Sequence, residues 1–167
     1  CTWSSMIYVG NQYLADFAVQ HNDNVVIIPT TIDTEHHHNI TKKHIQNKAG
    51  KVICIGWTGS HSTLLYLKNV EGALEAIQRK HNVCFKIIAD KAPRGLTIPF
   101  DFEEWNIDRE IDQLLDIDIG IMPLPNEEWA KGKCAFKALQ YLSLGIPCVA
   151  SPVGVNKQVV IEDNTGL

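Results

Sequence analysis

The sequence contains no apolar run approaching the roughly 20 residues of a membrane-spanning helix, and no signal-peptide pattern opens it. It has no excess of positive charge. Its 15 Lys+Arg stand against 19 Asp+Glu, a net of -4, so the broad positive field that nucleic acid or an anionic membrane selects is missing. Any anionic ligand must be met by a few local cations. The five cysteines (Cys1, Cys54, Cys84, Cys134, Cys148) are odd in number and form no CxxC pair, which argues against the usual zinc and dithiol redox spacings. They read as reduced thiols of a cytosolic protein, with Cys54, Cys84 and Cys148 as small hydrophobes in apolar strand-like runs. HExxH, GxSxG and paired carboxylates with a clear role are also lacking. No metal-ligating residues are assigned.

The sequence has a strong alternation of apolar strands and helices. With 167 residues and 45% hydrophobic composition it suits one sizeable α/β core with attached extras. Residues 6–9, 11–21 and 25–29 read as strand, helix and strand, too short for a domain. Residues 30–48 are polar and look like a linker; within them His36-His37-His38 invites a metal reading, but adjacent histidines cannot all converge on one ion without unusual backbone turns, and the run reads as solvated. From Lys51 onward the reading is a strand at 51–56, a long helix at 62–81, and a strand at 84–89. A helix at 107–115, a strand at 118–122, a helix at 133–144 and a strand at 147–150 follow. Continuous apolar strands separated by helices predict a Rossmann-like parallel sheet with helices on both faces.

Such sheets bind ligands beyond the carboxyl ends of their strands. Three loops are expected there: Trp57-Thr58-Gly59-Ser60, Pro123 to Gly132, and Ser151 to Asn156. Gly56 to Ser60 is a candidate phosphate cradle, because a glycine turn lets backbone N–H groups approach an anion; an ordinary strand-to-helix turn with a Ser cap is the alternative. Lys133 and Lys137 stand four apart at the expected start of a helix, with Gln140 three further on, so all three are expected to point one way. Lysines are unfavourable near the positive end of a helix unless an anion such as a diphosphate sits there. Solvated surface charge is the alternative. Glu127-Glu128 beside Trp129 offers a sugar contact or mere exposure.

Two blocks, Asp118-Ile119-Gly120-Ile121-Met122-Pro123-Leu124-Pro125 and Gly132-Lys133-Cys134-Ala135-Phe136-Lys137-Ala138-Leu139-Gln140-Tyr141, lead into Gly145-Ile146-Pro147 and Ser151-Pro152-Val153-Gly154-Val155-Asn156. Together with Ile55 to Ser60, Trp105 with Glu110, Gly10-Asn11 and Ile28-Pro29-Thr30-Thr31-Ile32-Asp33, they resemble bacterial glycosyltransferases of family 4. That resemblance implies the GT-B arrangement of two Rossmann-like domains, with the nucleotide-sugar donor held by the C-terminal one. By it, residues 1–33 are the last strand-helix-strand of a truncated N-terminal domain, 34–50 a linker, and 51–167 the nucleotide-sugar-binding domain, cut short at its end.

The resemblance further implies a retaining, metal-independent, hexosyltransferase-type enzyme of glycan biosynthesis, without a cofactor and with a UDP- or GDP-type sugar as donor. A glycan or lipid-linked acceptor would bind the missing N-terminal domain, the full-length enzyme having possible peripheral membrane association and this chain alone being inactive. The family's E-x7-E motif is not kept: Gly132 and Gln140 stand at its two positions, and Trp57 at its usual arginine. Lys133, Lys137 and the N–H groups near Gly132 and Lys133 are expected to stabilise the departing diphosphate in place of a divalent ion. Gly59 and Ser60 line the opposite wall, Gln140 holds the ribose, and Trp105 flanks the base. The alternatives are a GT-B nucleotide-sugar epimerase, or a non-catalytic nucleotide-sugar-binding module in view of the two missing glutamates.

Overall fold

A computed structural model describes residues 3–39 and 52–167. β1 (Ile7–Val9), α1 (Gln12–Ala18) and β2 (Val25–Ile27) form a two-stranded parallel sheet with its crossover helix. Asn11 does two jobs here. Its Oδ1 accepts from the Leu14 N–H at 2.9 Å, capping α1. Its Nδ2 donates to the Lys131 and Lys133 carbonyls at 3.2 and 3.3 Å, joining this unit to the larger one. The expected linker is described only as far as Asn39; the rest of it, and Lys51, lie outside the described residues.

The larger unit is a parallel sheet of β3 (Ile53–Gly59), β4 (Val83–Ala89), β5 (Asp101–Glu104), β6 (Ile119–Met122) and β7 (Cys148–Ala150), in the order β5-β4-β3-β6-β7. The chain starts at the centre, builds outward to β5, then returns to the other side of β3. The direction of winding therefore reverses between β3 and β6. Those two strands pair only at Ile55–Ile119 and Gly56–Gly120 before they part. Tyr141 fills the gap: its hydroxyl accepts from the Thr58 N–H at 2.9 Å and lies 3.5 Å from the Gly56 carbonyl, to which it donates.

Successive strand residues serve opposite faces, as strand geometry requires. Ile55, Trp57, Phe85 and Ile87 pack under the 3-10 segment His61–Asn69 and α2 (Glu71–Lys80), against Leu67 and Leu74. Gly56 and Gly120 face the other layer, where Ile117 and Tyr141 occupy the space a side chain would need. α3 (Glu110–Leu115) and α5 (Phe136–Ser143) supply Leu114, Ala138 and Tyr141 to that core. Each large apolar side chain buried here contributes about 1.5–3 kcal/mol. Helices thus cover both faces, as the alternation predicts. Cys54 and Cys148 are buried free thiols and Cys84 is half-buried, while Cys1 lies outside the described residues.

The elements depart from expectation in several places. β3 runs on to Gly59, so Gly56 and Gly59 are strand glycines placed where neighbours crowd the backbone, not turn residues. The helix expected over 62–81 breaks at Val70 (φ -115°, ψ 0°), after the segment His61–Asn69, which opens on His61-Ser62-Thr63 and forms only 3-10 turns. α5 starts at Phe136 instead of Lys133, because Ala135 adopts a left-handed φ of 57° and turns the chain there. A short α4 (Glu128–Lys131) forms inside the expected 123–132 loop, and α6 (Asn156–Val159) follows β7. Among the described residues, no helix is long and apolar enough to cross a membrane.

Candidate functional site

β3 and β6 part toward their carboxyl ends, the place where a doubly wound sheet has the crevice for its ligand. Lys137, in the first turn of α5, projects there with Nζ 5.6 Å from the centroid of the buried Trp57 ring. Gly59 makes the arrangement possible. A Cβ at that position would lie 2.6 Å from Lys137 Cε and 2.7 Å from two Trp57 ring carbons.

Lys137 has no acidic partner among the described residues. Burial first, and the neighbouring Lys133 charge second, bring its ammonium down to about 8. No side chain caps the start of α5, so its first-turn N–H groups lack the partner a cap would supply. A desolvated cation beside uncapped donors suits an anion with several acceptor oxygens.

The remaining expected residues separate into groups. Lys133 is not on α5: it precedes the helix and lies over the exposed Trp129 ring at 5.4 Å. The two lysines and Gln140 therefore do not share one face. The expected N–H donors also move, because Gly132 N–H bonds to the Glu128 carbonyl and Lys133 N–H to Ala130. Among the described residues, the donors without a side-chain cap belong to the start of α5, one turn later. Gly56 and Thr58 are absorbed by the Ile117 and Tyr141 contacts, and the Ser60 hydroxyl, instead of capping, pairs with Ser62 at 2.8 Å. The segments 123–132 and 151–156 do interlock, through Ser151 Oγ accepting from Leu124 N–H at 2.9 Å and through the close approach of Gly154 to the Lys131 backbone. Glu127 accepts from Tyr66 Oη at 3.2 Å.

One turn along α5 from Lys137, the buried Gln140 donates to Glu110 Oε1 at 3.1 Å, and Trp105 Nε1 donates to the same oxygen at 3.0 Å. Burial raises the Glu110 carboxyl, but hydrogen bonds from Trp105, His37 and Gln140 outweigh it and hold the group below its usual value. His37 and His38 also reach this carboxylate, so the histidine run is not uniformly solvated: His38 is buried and His37 is partly covered. Nothing local in the sequence announces the contact, because 73 residues separate His37 from Glu110. A further concavity of about 800 Å³ lies at the ends of β4 and β5, lined by Lys68, Lys91, Arg94, Asp90 and Glu104. Its charges are mixed.

The fold has counterparts among solved structures. A glycosyltransferase from Rickettsia africae superimposes with a TM-score of 0.71 at 13% identity, covering 98% of this chain and 48% of that one. Sucrose-phosphate synthase from Thermosynechococcus elongatus gives 0.67 at 12% identity, covering 99% and 45%. The chain shares its fold with glycosyltransferases. It spans just under half the length of each of these two structures. No protein-family model matches the sequence, and no curated protein does.

Proposed function

We propose that this chain is the donor-binding part of a retaining glycosyltransferase of the family-4 type, using a UDP- or GDP-type sugar. Residues 1–33 would close a preceding acceptor-binding domain, and residues 51–167 carry the donor site. Lys137 is the observation on which the reading rests: a desolvated lysine, unpartnered by any described acid, at the crevice where the sheet reverses. Negative charge grows on the diphosphate as the glycosyl bond breaks, so a cation and helix N–H groups fixed there stabilise the transition state more than the ground state. Lys133, in the loop beside it, adds charge at longer range. Gln140 and Trp105 lie one helical turn away and are assigned to the ribose and base end.

The carbon-centred step needs no divalent ion in this scheme, since Lys137 and the α5 donors take the charge a metal would take. The chain alone is assigned donor binding without transfer, because the acceptor half of a GT-B enzyme lies in its other domain. Thermal unfolding with a panel of UDP, GDP and ADP, each with and without Mg²⁺, tests this. Stabilisation by one diphosphate, little changed by Mg²⁺ and lost in Lys137→Met, is expected. Binding that requires Mg²⁺, or that survives the substitution, would overturn the assignment.

A further inference from the structure

Two adjacent histidines and a glutamate far along the chain converge on one point outside the phosphate end of the crevice. Asp33 arranges the histidines: its Oδ1 accepts from the Glu35 and His36 N–H groups at 3.0 and 2.9 Å, and its carbonyl accepts from His38 N–H at 2.8 Å. This turn sets the two rings edge to face, 4.7 Å between centroids. His37 Nε2 lies 3.0 Å and His38 Nε2 3.8 Å from Glu110 Oε2. One ring nitrogen from each histidine and the carboxylate oxygen fall within 4.8 Å of one another. Ligands of a tetrahedral ion with bonds of about 2.0 Å stand roughly 3.3 Å apart, so a small rotation of the side chains closes the set.

His38 calls for a ligand. Its side chain is 5% exposed, and neither ring nitrogen has a hydrogen-bond partner among the described residues. A separation of 3.8 Å from Glu110 is too long for a hydrogen bond, and it suits two donors to a common ion. The second carboxylate oxygen, Oε1, is taken by Trp105 and Gln140, which leaves Oε2 directed at the histidines. Outer hydrogen bonds of this kind orient the ligands of metal sites.

We propose that His37, His38 and Glu110 bind one zinc-type divalent cation, joining the segment after β2 to α3. Two imidazoles and a single carboxylate suit a borderline ion such as Zn²⁺ or Co²⁺. Mg²⁺ and Ca²⁺ require more oxygen ligands than the set contains. Three protein ligands leave a fourth position for water. The role is a clamp between the two parts of the chain; it shares Trp105 and Gln140 with the proposed nucleotide end but does not rest on the sugar-transfer reading.

The test uses metal-stripped protein titrated with Zn²⁺ by calorimetry and with Co²⁺ by visible absorption. One equivalent of Zn²⁺ is expected, with a Co²⁺ d–d band typical of four nitrogen and oxygen ligands that Zn²⁺ abolishes. His38→Ala and Glu110→Gln should lose the band and weaken binding by more than the ~10–100-fold expected for the outer partner Gln140 in Gln140→Ala. His36→Ala should bind as the wild type does. Circular dichroism on the same samples checks folding, and if a variant unfolds, the wild-type Co²⁺ spectrum decides. Absence of stoichiometric binding, a thiolate charge-transfer band from cysteine ligation, or folded His38→Ala with unchanged affinity would each overturn the site.

Discussion

Replacing Lys137 with methionine keeps the aliphatic stem over Trp57 and removes the charge. In the folded chain this ammonium titrates near 8, against 10.5 for an unhindered lysine. That gap corresponds to about 3 kcal/mol at most by which burial disfavours the charged form. The unfolded chain carries the proton up to 10.5, so below pH 8 the whole cost falls on the folded state. Between pH 8 and 10.5 the unfolded state binds more protons than the folded one, and wild-type stability rises with pH across that window. The loss of a cation over an aromatic ring offsets roughly 1 kcal/mol.

Lys137→Met is therefore expected to be more stable than wild type by about 1–2 kcal/mol at pH 7, with the advantage fading toward pH 10.5. Urea unfolding at several pH values measures it. The same substitution should weaken nucleoside diphosphate binding by roughly 100-fold, the effect of about 3 kcal/mol. Binding to wild type at pH 9 should take up a proton, seen as a dependence of calorimetric heat on the buffer's ionisation enthalpy. A variant that is less stable and binds diphosphate normally would return Lys137 to an ordinary packing role.

Gly59→Ala forces a Cβ against Lys137 Cε and the Trp57 ring, so it should displace the lysine and reduce diphosphate affinity about tenfold while the chain stays folded; unchanged affinity by calorimetry would show that the lysine need not sit there. Tyr141→Phe leaves the buried Thr58 N–H without its acceptor and is expected to cost about 1–3 kcal/mol in urea unfolding. A cost near zero would mean that Tyr141 does not hold the parting of β3 and β6.

The sheet was legible because its cause is local. A strand buried on both faces is mostly apolar, so Ile53 to Ile55, Cys84 to Ala89 with Lys86 as the exception, and Ile119 to Met122 declare themselves. The position of Lys137 near a helix start, where helix polarity disfavours a cation, was legible too. The misplacements have physical reasons. Glycines in a strand and glycines in a turn look alike in sequence, and only the bulk of Ile117, Tyr141 and Lys137 above Gly56, Gly120 and Gly59 shows which they are. A left-handed Ala135 has no sequence signature, so the start of α5 was expected too early, and Lys133 with it. The crevice, the Tyr141 wedge and the meeting of His37 and His38 with Glu110 depend on strand order and on contacts between residues far apart in the chain. Composition and period determined that this chain forms a parallel, helix-covered sheet. Tertiary structure alone decided which lysine is desolvated where the sheet reverses and which histidine is buried, because burial is a property of what packs against a side chain and not of its neighbours in sequence.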